Sequence, residues 1–342
     1  MKKAVLINDT TYDYHHGCEA VVAGIKNSLL ERGIGVIASC PVGVHFKQDA
    51  RVLRSMACAD IIVVNGEGTI HHGREKAKWL LEVAEFSHSQ GIPCALINAT
   101  YQDNPSSFAD LLRQFDLVCV RESLSQRVIN DLGVQAEIVP DLTLLLADKY
   151  RSSGADRSGV GITDSPMIDI SQANYSAALS RNYLFLPVLR SYRREGELSL
   201  VELVRHGKFL LSIQGRKTPK VSLSDEAYLD LRNRYIKTTI NSYLEALAGL
   251  ELLLTSRFHS LCFAFVTETP FLAVGGNSHK VESLLKDVGL EHRLVDQAAF
   301  MGDVTASQQA FSDEELGKLR TYKQEGLSKI SGMFDRCEAL IK

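Results

Sequence analysis

The chain's 342 residues, 45% hydrophobic and 23% charged, describe a globular protein large enough for two domains. A net charge of −3 leaves no bulk attraction to nucleic acid or to an anionic membrane, so any anion site must be local. No stretch nears the ~20 apolar residues of a membrane span, the opening apolar run is too short for a signal-peptide core, and seven scattered cysteines without CxxC spacing read as buried reduced thiols and not as structural zinc, so the expected location is the cytoplasm.

In chain order, "KAVLIN" (3–8) predicts a buried strand, 18–33 a helix closed by glycine, and "GVIAS" (35–39) a second strand. A short helix near 49–56 leads to strand 60–65, helix 75–90, strand 93–98 and helix 106–113. Strand 117–121, helix 123–133 and strand 136–140 complete the half. Strands apolar on both faces, alternating with helices, specify a parallel sheet with helical cover, a Rossmann-like domain over residues 1–150. The polar, Gly/Ser-bearing stretch 147–159 is the expected linker. Beyond it come strand 159–163, helix 171–181, strand 183–189, helix 199–207 and strand 208–213. Helix 225–248, strand 250–256, helix 259–267, strand 270–275 and helix 278–288 follow, giving a second Rossmann-like domain over 151–342. The expected fold is α/β, with the two domains facing across a cleft.

Ligands of open parallel sheets bind beyond the carboxyl ends of the strands, so the residues just after each strand carry the functional signal. In the first half these include "NDTTYDYHHGCEA", "NGEGTIHHG", "RES" and "PDLT"; in the second, "TDSP", "SRFHS" and "GGNSHK". His15, His16 and Gly17 sit at the first strand-to-helix turn, and Asn65, Glu67, His71 and His72 at the third. Either group would suit a ligand site or a plain capped turn. Adjacent histidines such as His71 and His72 point apart and have no carboxylate set beside them, which argues against a metal. Arg257 and His259 bracket a helix start, where a fork of donors, a titrating imidazole and the helix dipole coincide. Arg121 ends a strand of the other half, so two arginines from facing domains could clamp one small anion.

These segments together resemble the polysaccharide pyruvyl transferase family, whose fold is similar to that of GT-B glycosyltransferases. Four pieces carry the likeness: Gly17-Cys18-Glu19-Ala20 after the first strand, "DIIVVNGEGTIHHG", "RESLSQRVINDLGVQAEIVPDLTLLL", and "LLLTSRFHSLCFAFVTETPFLAVGGNSHKVESLLKDVGL". Residues 150–235 carry no recognisable motif, and "HHGCEA" departs from the family's usual Gly-Asn-x-Gly-Asp opening. The resemblance implies transfer of the enolpyruvyl unit of phosphoenolpyruvate, as co-substrate, to a sugar of a bacterial-type surface polysaccharide or its lipid-linked precursor. No other cofactor and no metal is expected. By position, Arg121, Arg257 and His259 would be catalytic and would bind the donor together with Ser260, Lys280 and Asn277, with 151–342 the donor side, while His15, His16, Gly17, Asn65, Glu67, His71 and His72 would bind the acceptor on the side of 1–150. A GT-B glycosyltransferase using a nucleotide sugar would place a basic cluster at the same helix start, and a non-catalytic saccharide-binding protein would need only the cleft. Peripheral membrane association and oligomeric state stay open.

Overall fold

A computed structural model describes residues 1–147, 149–150, 156–189, 235–276, 278–302 and 304–341. The first six strands, β1 Lys2–Asp9, β2 Ile34–Pro41, β3 Ile61–Asn65, β4 Cys94–Ala99, β5 Leu117–Val120 and β6 Glu137–Ile138, form one parallel sheet in the order β2-β1-β3-β4-β5-β6. Helices α1 His16–Glu31, α2 Ala50–Met56, α3 Glu75–Ser89, α4 Phe108–Leu112 and α5 Ser123–Asp131 connect them. Every residue of β3 and β4 is buried, which is why these segments read as unbroken apolar runs. One core cluster lies on each face: Val5, Ile7, Val64 and Leu96 on one side, Ala4, Leu6, Val63 and Ile97 on the other.

The second sheet holds β7 Val160–Ile162, β8 Leu184–Phe185, β9 Leu252–Thr255 and β10 Phe271–Ala273, again all parallel, in the order β10-β9-β7-β8. Its helices are α6 Ile168–Arg181, α7 Ile240–Ala248, α8 Phe258–Thr267, α9 Lys280–Val288 and α10 Gln297–Phe300. Two Rossmann-like lobes are thus present, as the sequence implied. Strand 183–189 is regular only at Leu184–Phe185, and within 235–248 the helix begins at Ile240, where Thr239 and Ser242 form a capping box. Helix 199–207, strand 208–213 and the start of helix 225–248 lie outside the described residues.

Helix α11, Asp313–Ala339, is the main departure from the expected plan, which ran one domain unbroken from 151 to 342. A capping box of Ser312 and Glu315 starts it, with three acidic residues in the first turn. Leu319 packs in the core of the C-terminal lobe, whereas Ile330, Met333, Phe334 and Cys337 pack with Val21, Ile25 and Leu29 of α1 on the first sheet. Gly326 lets the helix pass closely over residues 142–146, since a Cβ there would lie 2.4 Å from Leu144 Cδ2. Further ties cross the cleft where α9 meets α5. The amides of Ser123 and Leu124 donate to Asp287 Oδ2 and Ser283 Oγ at 2.8 and 3.2 Å.

Because Phe334 is fully buried between α11 and the first sheet, Phe334→Ala is expected to destabilise the N-terminal lobe by about 3–5 kcal/mol. Urea unfolding followed by the fluorescence of Trp79, the sole tryptophan, measures it.

Candidate active site

The chain leaves β1 toward β2 on one side and toward β3 on the other, and leaves β7 likewise toward β8 and β9. Ligands of such sheets gather where the strand order reverses. At the first of these points Asn8 and Asn65 exchange hydrogen bonds: Asn8 Nδ2 donates to Asn65 O at 2.7 Å and Asn65 Nδ2 donates to Asn8 O at 3.3 Å. Asn8 turns here at φ 66°, a left-handed conformation that asparagine tolerates. The bracket holds Glu67 two residues beyond β3. Glu67 Oε2 accepts from Thr10 Oγ1 at 2.7 Å and from Asn65 Nδ2 at 3.3 Å, and Oε1 faces the other lobe.

What Oε1 faces is His259. Helix α8 is buried along its whole length, so its N-terminus is fixed by packing on all sides. His259 Nε2 lies 3.0 Å from Glu67 Oε1, at ion-pair distance though without the alignment of a hydrogen bond, and 3.7 Å from Asp141 Oδ2. The ring rests on the backbone of Gly17, where a Cβ would come within 2.2 Å of His259 Cγ, and the His15 ring meets it edge-on at 5.0 Å. Glycine at 17 is therefore a steric requirement of the imidazole. Burial alone would depress the His259 pKa, but the Glu67 and Asp141 carboxylates more than offset it and raise it. Burial likewise pushes the Glu67 carboxyl up, and the imidazolium brings it below the usual range. The two groups are held as an ion pair.

Arg121 and Arg257 reach the same cavity of about 300 Å³, with Glu67, His15, Cys18, His259 and Lys280 in its wall. Each already has a carboxylate partner from its own lobe. Arg121 Nη1 donates to Asp141 Oδ2 at 2.8 Å, Nε and Nη2 donate to Thr100 Oγ1 at 3.2 and 2.7 Å, and the guanidinium lies 4.4 Å from the Phe258 ring centroid of the other lobe. Arg257 Nη2 donates to Asp164 Oδ2 and, at 3.0 Å, to Ser165 O, while its buried Nε has no hydrogen-bond partner among the described residues. Lys280 also lines the cavity, its pKa pushed down to about 8 by burial and by the charges of Arg121 and Arg257.

The remaining sequence candidates divide. His15 caps α1, its Nδ1 accepting from the Gly17 amide at 3.0 Å, and lines the cavity. His16, one residue on, turns into the lobe interface, with Nε2 3.1 Å from Lys237 O and its ring against Tyr243. Ser260, expected at the donor, instead bonds Tyr243 Oη at 2.9 Å in the core, because one step along a helix rotates a side chain away from its neighbour. Asn65 stands behind Glu67 and does not line the cavity. His71 is turned toward Gly68 O at 3.2 Å, with burial and Arg74 lowering its pKa to about 4, and His72 pairs with Asp103 at 3.2 Å; neither lines the cavity. Asn277 lies outside the described residues. Sequence reasoning passed over Thr10, Cys18, Asp141 and Asp164, although each stands at or just beyond a strand end that it had marked.

Removing the Glu67 charge should lower the His259 pKa. In Glu67→Gln the imidazole resonance, followed by NMR, is expected to titrate at least ~1 unit lower. His259 gains its charge on folding, so this pair's contribution to stability is complete below about 6.5 and is lost as pH rises through the raised native value. Glu67→Gln should flatten that dependence in urea unfolding.

Residues 5–278 match the family described as polysaccharide pyruvyl transferase. No curated protein matches the chain significantly. Among solved structures, the chain is similar to the α,α-trehalose 6-phosphate synthase of Burkholderia multivorans, with 11% identity, TM-score 0.48 and coverage of 100% of this chain and 98% of that one. It is also similar to the UDP-GlcNAc 2-epimerase of Methanocaldococcus jannaschii in complex with UDP-GlcNAc and UDP, with 11% identity, TM-score 0.47 and coverage of 95% and 99%. No helix among the described residues is long and apolar enough to cross a membrane. With a family match over most of its length, both parallel-sheet lobes included, the chain belongs to the polysaccharide pyruvyl transferase family, a family of transferases.

Proposed function

We propose that the chain transfers the enolpyruvyl unit of phosphoenolpyruvate to a hydroxyl pair of a sugar in a surface polysaccharide or its precursor, giving a cyclic pyruvate ketal and inorganic phosphate. The observation that carries this reading is a small cavity in which guanidinium groups from both lobes flank an imidazolium held by two carboxylates. The donor has a carboxylate at one end and a phosphate at the other. Arg121 and Arg257 suit its two ends, because a guanidinium already anchored to Asp141 or Asp164 keeps further N–H groups in fixed directions. A volume of about 300 Å³ lies at the low end of ligand pockets and suits a three-carbon phosphorylated acid better than a nucleotide sugar.

The chemistry follows from the protonation state. The His259 imidazolium gives its proton to the methylene carbon of the donor, and the carbon bearing the phosphate becomes electron-deficient. The first sugar hydroxyl bonds to that carbon, and its proton restores the imidazolium. The C–O bond to phosphate then breaks, the second hydroxyl closes the ring, and its proton leaves with the phosphate. Glu67 and Asp141 keep His259 charged before the first step, and the arginines hold the donor in line.

His259→Ala is expected to cut phosphate release by roughly 10²–10⁴-fold with the fold intact, whereas Arg121→Ala and Arg257→Ala should chiefly raise KM for the donor. The assay is incubation with phosphoenolpyruvate and a panel of nucleotide- or lipid-linked sugars, reading inorganic phosphate and the mass gain of the acceptor. Thermal stabilisation by nucleoside diphosphates and none by phosphoenolpyruvate would sink this reading in favour of a nucleotide-sugar transferase.

A further inference from the structure

His15 caps α1 and Cys18 stands three residues on, so both side chains reach the cavity from one face of the N-terminal lobe, while His259 enters from the other lobe. One ligand atom from each, two imidazole nitrogens and a thiol sulfur, lie within 4.8 Å of one another. Glu67 Oε1 is buried 3.0 Å from His259 Nε2, outside that 4.8 Å grouping, and neither atom has a hydrogen-bond partner among the described residues. We propose that this cluster is a site for a borderline-soft divalent cation of the zinc class, which bridges the two lobes and takes the place of the proton on His259.

The ligand types decide the class of ion. Imidazole with thiolate selects zinc over magnesium or calcium, and a carboxylate completes a tetrahedral set. Zinc–ligand bonds of about 2.0–2.3 Å place neighbouring ligand atoms roughly 3.4–3.6 Å apart, so the cluster closes on an ion by side-chain shifts of about an ångström. A thiol ligates as thiolate and an imidazolium as imidazole, so one dication takes the place of two protons. Arg121, Arg257 and Lys280 around the cavity therefore meet no added charge. Coordination by His15 Nε2 puts the ring proton on Nδ1 and gives up the cap accepted from the Gly17 amide. His259 bound to the ion has no proton to give, so zinc occupancy and pyruvyl transfer exclude each other. The site itself does not depend on which donor the cavity takes.

The test uses the full chain with its thiols reduced, stripped by chelator, dialysed, and titrated with Zn²⁺ against a chromophoric indicator and separately with Co²⁺. One zinc per chain at submicromolar affinity, a thiolate-to-cobalt charge-transfer band, and a raised melting temperature are expected. Cys18→Ser should abolish the band and weaken zinc at least ~10-fold, and His15→Ala should weaken it to a similar degree. Circular dichroism checks that each variant folds, and His15→Ala carries the test if Cys18→Ser does not. Absence of stoichiometric uptake at micromolar Zn²⁺ overturns the proposal. So does an unchanged band in Cys18→Ser, the result expected if the exposed Cys58 were the ligand. Neither readout needs turnover, so failure here leaves the transfer reading standing, and failure of phosphate release leaves this one standing.

Discussion

The pairing of Glu67 with His259 across the cleft is the constraint on which the rest of the site depends. Burying either charge alone is costly, and each offsets the other only while the lobes are apposed. The pair extends into a row of alternating charge: Glu67, His259, Asp141 and Arg121, each within 4 Å of the next. Hydroxyl and amide donors fix the carboxylates from behind, through Thr10 and Asn65 on Glu67 and Thr143 on Asp141. Deleting one member leaves its neighbours buried and uncompensated, which makes the row a device for holding a proton at one nitrogen as much as a source of stability.

The same row explains why the two lobes need a strap. A site assembled from the carboxyl ends of two separate sheets is only as well formed as the angle between them. Helix α11 spans that joint, with Leu319 in one core and Ile330, Met333 and Phe334 in the other. Its ends are pinned by ion pairs to each lobe, Glu315 to Arg293 and Asp335 to Arg32. The Ser123–Asp287 and Leu124–Ser283 contacts close the opposite side. Packing remote from the cavity thus sets the distance on which the imidazolium depends.

How much of this was legible follows the physics of each signal. Strands buried on both faces announce themselves as apolar runs, so the sheet of the first lobe and the location of its ligand-facing turns could be read directly. Helix α11 could not, because its apolar contacts are split between two cores and its middle carries Gly326; the Ser312–Glu315 capping box was its readable start. Side-chain direction was the other blind spot. His15 and His16 are neighbours in sequence, yet one faces the cavity and the other the lobe interface, and His259 and Ser260 part in the same way. Asp141 and Asp164 stand in the marked strand-end segments, but nothing in a sequence says that an arginine twenty or ninety residues away will claim them.

That the arginines arrive already paired changes what the cavity offers an anion. Arg74, Lys76, Arg121, Arg257, Lys280 and His259 face the carboxylates of Asp13, Glu67, Asp141 and Asp164, so six cations stand against four anions and the surplus is two charges. A donor with both a carboxylate and a phosphate would consume that surplus. Negative charge beside His259 strengthens its hold on the proton for the same reason that Glu67 does. Under the proposed transfer, donor binding would raise the basicity of His259, and only the approach of the methylene carbon to the imidazolium would release the proton. Departure of phosphate would reverse the effect and lower the imidazole's basicity for product release. Under the proposed transfer, a cavity built from fixed and mutually compensated groups would let the substrate's own charge set the timing of the proton.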